Sequence, residues 1–437
     1  MENKVTVIGG GMAGTEAAWQ LAKRKIHVDL YEMKPKRFSP AHKSEGLAEL
    51  VCSNSFKAMR LESAAGLLKE EMRRFGSICM YAADIAKVDA GGALAVDRDI
   101  FSQVITEKIQ ENEYINLIRE EVTAVPEGYA IVAAGPLASE KLSEDISRIC
   151  GSGLYFFDAA APIVAGDSVD MSKAFRASRY DRGGDDDYIN CPMDKEEYER
   201  FYDAIISGES APLHSFDKRK DVYEGCMPIE VMASRGRDTM RFGPLKPVGL
   251  KDPVTGRRPW AVLQLRKENN SGTMYNLVGF QTNLKFSEQK RIFSLIPALH
   301  SAEFVRYGVM HRNTFINSPS LLNPDYSFRE RENLFFAGQI TGVEGYMESA
   351  SSGILAGINA ARRLCGMQTL RLPLTTMMGA LSAYISDKNT VNFQPMGANF
   401  GVLPPLEEKI RDKKERYAAL SKRGIADLEK YIKDNGI

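Results

Sequence analysis

A buried strand opening onto three spaced glycines, a second glycine-rich strand-to-helix unit near the other end of the chain, and a change of composition between them together predict an α/β protein. Its nucleotide-binding domain is split along the sequence and carries an inserted α+β domain. At 437 residues the chain is too long for one ordinary core. The expected division is 1–165 for the first segment of the nucleotide-binding domain, 166–308 for the insertion, and 309–437 for the second segment with a basic C-terminal tail.

The first unit is KVTVIGGGMAGTEAAWQLAKRKIHVDLYEM, residues 4–33. Lys4 to Ile8 reads as a short buried strand, and Gly9, Gly11 and Gly14 follow in the G-x-G-x-x-G spacing. Gly9 permits the tight turn, Gly11 lets a pyrophosphate approach the backbone, and Gly14 lets the next helix pack on the strand. Gly10, Met12 and Ala13 complete the loop, and the helix N-terminus offers free N–H groups to phosphate. IHVDLYE is the second strand, ending in Glu32, where a carboxylate can accept from a ribose hydroxyl.

Two later segments resemble the return strand and closing segment of flavoproteins of the glutathione-reductase type, and so favour FAD over NAD as the bound dinucleotide. YAIVAAGPLAS (129–139) is a strand broken at Gly135-Pro136. NLFFAGQITGVEGYMESASSGILAGINAARRL (333–364) is a strand, a turn through Gly338 and Gly345, and a long helix of small residues. In such proteins that helix points its N-terminus at the flavin. They carry Gly-Asp where this chain has Gly338-Gln339. The bland alternative is two ordinary buried strand–helix units.

DAAAPIVAGDSVD (158–170) and MHRNTFINSP (310–319) are the expected crossings into and out of the insertion. Within it, SRYDRGGDDDYINCPMDKEEYERFYDAI begins with an acidic turn and continues into a helix, and RPWAVLQLRKENNSGTMYNLVGFQTNLK (258–285) is a hairpin turning through Asn269, Asn270 and Gly272. The C-terminal tail is amphipathic and basic.

Lys plus Arg and Asp plus Glu balance at 57 each, which weighs mildly against a nucleic-acid binder. Two local basic runs stand out, one including Arg235 and Arg237, the other KIRDKKERYAALSKR with Lys409 and Arg411. A solvated face is the bland reading of both. The six cysteines, at 52, 79, 150, 191, 226 and 365, form no CxxC or Cys/His cluster, so neither a metal site nor a disulfide framework is expected. No window reaches the roughly 18 apolar residues of a membrane span, and MENKVTVIGGG lacks the regions of a signal peptide. A cytoplasmic protein with no membrane contact is expected.

The segments SPAHKSEGLAELVCSNS, AGGALAVDR, SRYDRG, YINCPM, EGCMPIEVMASRG, FGPLKPVGL, RYGVMHRNTFINSPSLL, FFAGQITGVEGYMESASSG and NFQPMGANFG complete the pattern. Over nearly its whole length the chain resembles the bacterial folate- and FAD-dependent tRNA (uracil-5-)-methyltransferases. The resemblance implies methylation of the T-loop uridine of tRNA at carbon 5, with the T-arm as partner. Methylenetetrahydrofolate would give the carbon, reduced FAD the electrons, and NADPH or NADH would reduce the flavin. It implies a flavin N5 iminium as the carrier of the carbon, and a monomer or weak homodimer. A larger flavin enzyme acting on the wobble uridine shares the nucleotide fold, but its expected length is greater.

Carbon 5 of uracil becomes nucleophilic only when something adds to carbon 6, and a thiolate is suited to that addition. Two cysteines sit in matching motifs. Cys226, in YEGCMPIE, is expected in a loop that exposes its sulfur. Cys52, in LVCSNSFK, is expected at a helix start formed by Ser53 to Ser55, where the helix N-terminus stabilises a thiolate. Cys226 is taken as the carbon 6 nucleophile and Cys52 as its partner, acting on the flavin adduct or the carbon 5 proton. Both could instead be buried packing residues. Tyr346 is a candidate for stacking on flavin or folate. His311, Arg312 and Asn313 are candidates for holding folate or RNA phosphate, as are the two basic runs for RNA.

Three alternatives stay open on the residues alone. They are the same chemistry on a ribosomal RNA uridine, an NAD(P)H flavin oxidoreductase with a small-molecule substrate, and a non-catalytic flavin-dependent binding protein.

Overall fold

A computed structural model describes residues 4–151, 154–159, 161–181, 187–211, 227–269, 271–308, 310–390 and 393–437; for 154–159, 181 and 310–314 it describes the backbone alone. The main sheet runs in the order Ser327–Phe328, Arg331–Phe336, Ala130–Val132, Lys4–Ile8, His27–Tyr31, Ile115–Ile118. Every pair is parallel except the first. Val5 and Val7 are fully buried, as expected of a strand covered on both faces. The chain leaves Lys4–Ile8 through the Met12–Ala22 helix to the strand on one side, and Ala130–Val132 lies on the other. The strand order therefore reverses at Ile8, which opens a crevice at the carboxyl ends.

Two helices cover one face at very short range. A Cβ on Gly353 of the Tyr346–Leu364 helix would lie 2.1 Å from the Ala13 carbonyl oxygen, and one on Gly357 would lie 2.6 Å from that of Ala17. The two backbones thus touch, and the small residues noted in the sequence are a packing surface. The Lys413–Asn435 helix buries Leu420, Gly424 and Leu428, one stripe at helical spacing, against this domain, and its Ser421 hydroxyl donates to Leu61 O at 2.5 Å.

The second sheet is antiparallel and runs Phe175–Arg176, Tyr188–Met193, Ala261–Lys267, Met274–Leu277, Ile163–Ala165, Phe304–Arg306. The hairpin read from 258–285 is present, with Leu265 opposite Leu277. The expected helix is Lys195–Ser207, started by a reciprocal Asp194/Glu197 capping box. Ile189, Leu263 and Leu265 pack on one face of the sheet with Phe201, Phe280 and Phe293. The other face carries Asn190, Gln264 and Arg266 in adjacent register. The two crossing segments pair with each other, Leu154–Ala159 against Met310–Phe315. Ile163–Ala165 belongs to the second sheet, so the chain has already crossed by residue 163.

Candidate active site

Each glycine of the first loop has a different neighbour, and so a different reason to be glycine. Gly9 has φ +105, and a Cβ there would lie 2.5 Å from Ala133 O. A Cβ on Gly14 would lie 1.8 Å from Gly9 O, so this glycine lets the helix close on the turn. A Cβ on Gly11 would meet no protein atom within 4 Å. Gly11 therefore faces open space, where a pyrophosphate would approach the N-terminus of the Met12–Ala22 helix. Glu32 is buried at the end of its strand; its carboxylate accepts from the backbone N–H of Gly10 at 3.0 Å and of Lys34 at 2.9 Å.

Gly9, Gly10, Gly11 and Glu32 line a cleft, partly open to solvent, together with Gly135, Gly338, Gln339 and Tyr346. The open cradle at Gly11, the carboxylate at Glu32 and the second strand-to-helix turn fit an adenine dinucleotide. Gln339 stands where an aspartate is usual in the resembling flavoproteins, and its Nε2 donates to Glu344 Oε2 at 2.6 Å. Gly338 has φ +86 and Gly345 has φ +122, conformations that L side chains rarely adopt. A Cβ on Gly345 would also sit 2.2 Å from a Glu348 carboxylate oxygen. Glu348 is buried and paired with Lys57 at 2.9 Å, which fixes the start of the closing helix. At the rim, His42 Nδ1 lies 2.6 Å from Ser39 Oγ. Burial, and then the charge of Lys34, push the His42 pKa down and favour the neutral ring.

Cys52 is half-buried beside this cleft, and its backbone N–H donates to the Tyr346 hydroxyl at 2.9 Å. Tyr346 packs edge-on to Phe56, with centroids 6.1 Å apart. Burial, and then the Cys52 charge, raise the Tyr346 phenol well above its usual value, so it stays neutral. The helix start expected at Ser53 to Ser55 is not there. Asn54 and the two serines make other bonds: Asn54 Nδ2 donates to Val96 O at 3.0 Å and to Lys267 O at 2.9 Å, and Ser53 Oγ accepts from Arg266 at 2.9 Å. The chain runs extended into the strand Ser55–Ala58, and the next helix begins at Ala64 under a Ser63 cap. The Cys52 sulfur therefore does not sit at the start of a helix formed by its own segment.

Guanidinium groups instead hold the segment that carries it, and sequence reasoning missed them. Arg98 donates to Leu50 O and, at 3.2 Å, to Cys52 O, while its Nε pairs with the buried carboxylate of Glu268. Arg306 donates to Val51 O at 2.5 Å, and Arg266 Nε to Asn54 Oδ1 at 3.0 Å. Burial works against the Arg98 charge, but Glu268 outweighs it and holds the guanidinium above its ordinary pKa. Burial lowers the pKa of Arg266 and Arg306. One signal was legible: Gln264, Arg266 and Glu268 alternate with Leu263 and Leu265, a polar face on a strand that the hairpin reading left unused.

The remaining expected residues are scattered. Cys226 lies outside the described residues. His311, Arg312 and Asn313 lie on the crossing strand, opposite Asp158, Phe157 and Phe156, and their side chains are outside the described set. Arg235 is exposed at the end of the Ile229–Ser234 helix. Arg237 pairs with Glu199 and with Asp203 and stacks 4.6 Å over Tyr202, so its charge is already engaged. Lys409 and Arg411 are exposed ahead of the last helix. Among the described residues no group of three or more His, Cys, Asp or Glu side chains is placed to hold a metal ion, and no helix is long and apolar enough to cross a membrane.

Comparison with known proteins extends this geometry. The family model for glucose inhibited division protein A matches residues 4–368. A protein of Acetivibrio thermocellus named methylenetetrahydrofolate–tRNA-(uracil-5-)-methyltransferase TrmFO is 59% identical over 434 residues, covering 99% of each chain. One of the same name from Pelotomaculum thermopropionicum is 57% identical, covering 98% of each. Among solved structures, GidA of Aquifex aeolicus in two crystal forms superposes with TM-scores of 0.69 and 0.70 at 16% identity. Those alignments cover 97% of this chain and 73% and 76% of the other. At that identity the likeness concerns the fold, a Rossmann-like dinucleotide-binding domain with an inserted domain.

Proposed function

This chain belongs to the methylenetetrahydrofolate–tRNA-(uracil-5-)-methyltransferase family, and from that premise we propose that it methylates carbon 5 of the T-loop uridine of tRNA in the cytoplasm. Methylenetetrahydrofolate is the one-carbon donor, and NADPH or NADH reduces the bound FAD. The observation that carries the reading is Cys52 hydrogen-bonded through its backbone N–H to Tyr346 beside a dinucleotide cleft, on a segment held by the guanidinium groups of Arg98, Arg266 and Arg306. A lone structural cysteine needs no such surroundings.

Gly11 and the following helix N-terminus bind the FAD pyrophosphate, and Glu32 accepts from its ribose. Gly135, Gly338, Gln339 and Gly345 shape the flavin end. When bound, the flavin supplies the reducing equivalents for the transferred carbon. Cys226 adds to uracil carbon 6, forming a C–S bond and an enolate across carbons 4 and 5. The enolate attacks the one-carbon unit. Cys52 then takes the carbon 5 proton, and the electron pair left on carbon 5 releases the transferred carbon from its carrier nitrogen as an exocyclic methylene. Two-electron reduction turns that methylene into the methyl group, and the Cys226 sulfur leaves carbon 6 as the ring double bond re-forms. The target base leaves its stack to reach this point, at a cost of a few kcal/mol. Arg235, Arg237, Lys409 and Arg411 are exposed cations assigned to RNA phosphate, Arg237 while also paired with Glu199 and Asp203. His311, Arg312 and Asn313 are assigned to folate or to RNA phosphate.

The test incubates the enzyme with a tRNA transcript, methylenetetrahydrofolate and NADPH, and digests the product for mass analysis. A 5-methyluridine in the T-loop is expected, lost in Cys226→Ala and in Cys52→Ala. Normal product from both variants would sink the thiol mechanism. Product only from a ribosomal RNA fragment would move the chemistry to that substrate.

A further inference from the structure

Five consecutive residues, Leu50 to Asn54, are each bound by an arginine that comes from elsewhere in the chain. Arg98 opens the Arg98–Gln110 helix and holds the carbonyls of Leu50 and Cys52. Arg306, from the strand Phe304–Arg306, holds Val51 O at 2.5 Å. Arg266, from the strand Ala261–Lys267, holds Ser53 Oγ at 2.9 Å and Asn54 Oδ1 at 3.0 Å. Two of the three belong to the second sheet, so the Cys52 loop is clamped at the seam between the domains.

The charges do not balance. Among the described residues Glu268 is the one carboxylate paired with these three guanidiniums, and its side chain is 1% exposed. The other titratable groups facing the cluster do not supply the missing negative charge. Tyr346 and Tyr188 are held neutral by burial, and His42, near Arg306, is likewise held neutral. Cations that are buried, like Arg266, or half-buried, like Arg98 and Arg306, are costly without counter-charge, and among the described residues the remaining group that can provide one at this point is the Cys52 sulfur. Its charge acts on all three arginines.

We infer that Arg98, Arg266 and Arg306 are positioning residues that hold Cys52 as a thiolate, with Arg98 locked in place by Glu268. The inference rests on the reading of Cys52 as a reacting thiol. A base that takes the carbon 5 proton has to be deprotonated when substrate arrives, and the cradle keeps it so.

The test is the pH dependence of Cys52 alkylation in the FAD-loaded enzyme. Iodoacetamide is applied from about pH 5 to about pH 9, and the Cys52 peptide is quantified by mass against that of the exposed Cys365. In Arg98→Met the midpoint moves up by about one unit or more, and Cys52 reacts about tenfold more slowly below it. Arg98→Lys restores most of the midpoint, and Glu268→Gln moves it the opposite way. If Arg98→Met does not fold, Arg306→Met is read in its place, with the same upward shift. An unmoved midpoint, or a uniform slowing at every pH, overturns the cradle. Methylation by Cys52→Ala is scored separately: activity in that variant removes the role of Cys52 and leaves the alkylation result standing.

Discussion

Replacing Gly11 by alanine separates what the first loop does for the ligand from what it does for the fold. Gly11 sits at φ −74, ψ −174, extended backbone open to any residue, and a Cβ there meets nothing within 4 Å. The apo-protein should lose no stability, and it gains up to about 0.4–1 kcal/mol by restricting the unfolded chain. The new methyl stands where the pyrophosphate approaches the N–H groups. Losing one hydrogen bond to a charged oxygen costs about 1.5–3 kcal/mol, or about 10- to 150-fold in FAD affinity. Gly14→Ala behaves differently, because its Cβ would lie 1.8 Å from Gly9 O and 3.0 Å from Gly9 C, both backbone atoms. The helix must back away, costing about 1–3 kcal/mol or more of stability along with the binding. Urea unfolding of the apo-proteins and quenching of flavin fluorescence on titration measure the two quantities. If Gly11→Ala binds FAD within about threefold of the parent, a shift of about 0.7 kcal/mol, the pyrophosphate does not sit on this loop.

Three further outcomes follow, two from buried contacts and one from an open position. Gly353→Val forces side-chain atoms against the Ala13 carbonyl, 2.1 Å from the would-be Cβ, and should cost about 3 kcal/mol or more in urea unfolding. Gly128→Ala, with nothing within 4 Å, should change little in the same assay. Glu71 is buried and accepts from the backbone N–H groups of Met377 and Met378, and burial pushes its carboxyl up to about 8 from 4.5. Its folded pKa is raised, so its contribution is fully present below about 4.5 and is lost as pH rises through about 8, by on the order of 4 kcal/mol. Unfolding free energies at pH 5 to pH 8 should fall more steeply for the parent than for Glu71→Gln; parallel curves would refute the assignment.

The first dinucleotide unit was legible because its signals are local. Gly9 and Gly14 answer to the turn they build, and Glu32 ends the strand that places it beside Gly10. Tyr346 and Gly345 were legible for the same reason, at the start of a helix marked by its own small residues. The error at Ser53 to Ser55 has an equally plain cause. Serine and asparagine are good caps only when their side chains are free to cap, and here Val96, Lys267 and Arg266 engage Ser53 and Asn54 first.

By itself, then, the sequence determined the nucleotide-binding frame, its interruption by a second domain, and the motifs that carry the two cysteines. These depend on backbone conformation and on neighbours within a few residues. The tertiary structure alone decided what surrounds Cys52. Its arginine contacts join residues 46 to 255 positions apart in the chain. No spacing rule joins Arg98, Arg266 and Arg306, since each is an ordinary charged residue in its own segment. Only when the second sheet closes against the first domain do these three cations meet one carboxylate and the segment that carries Cys52.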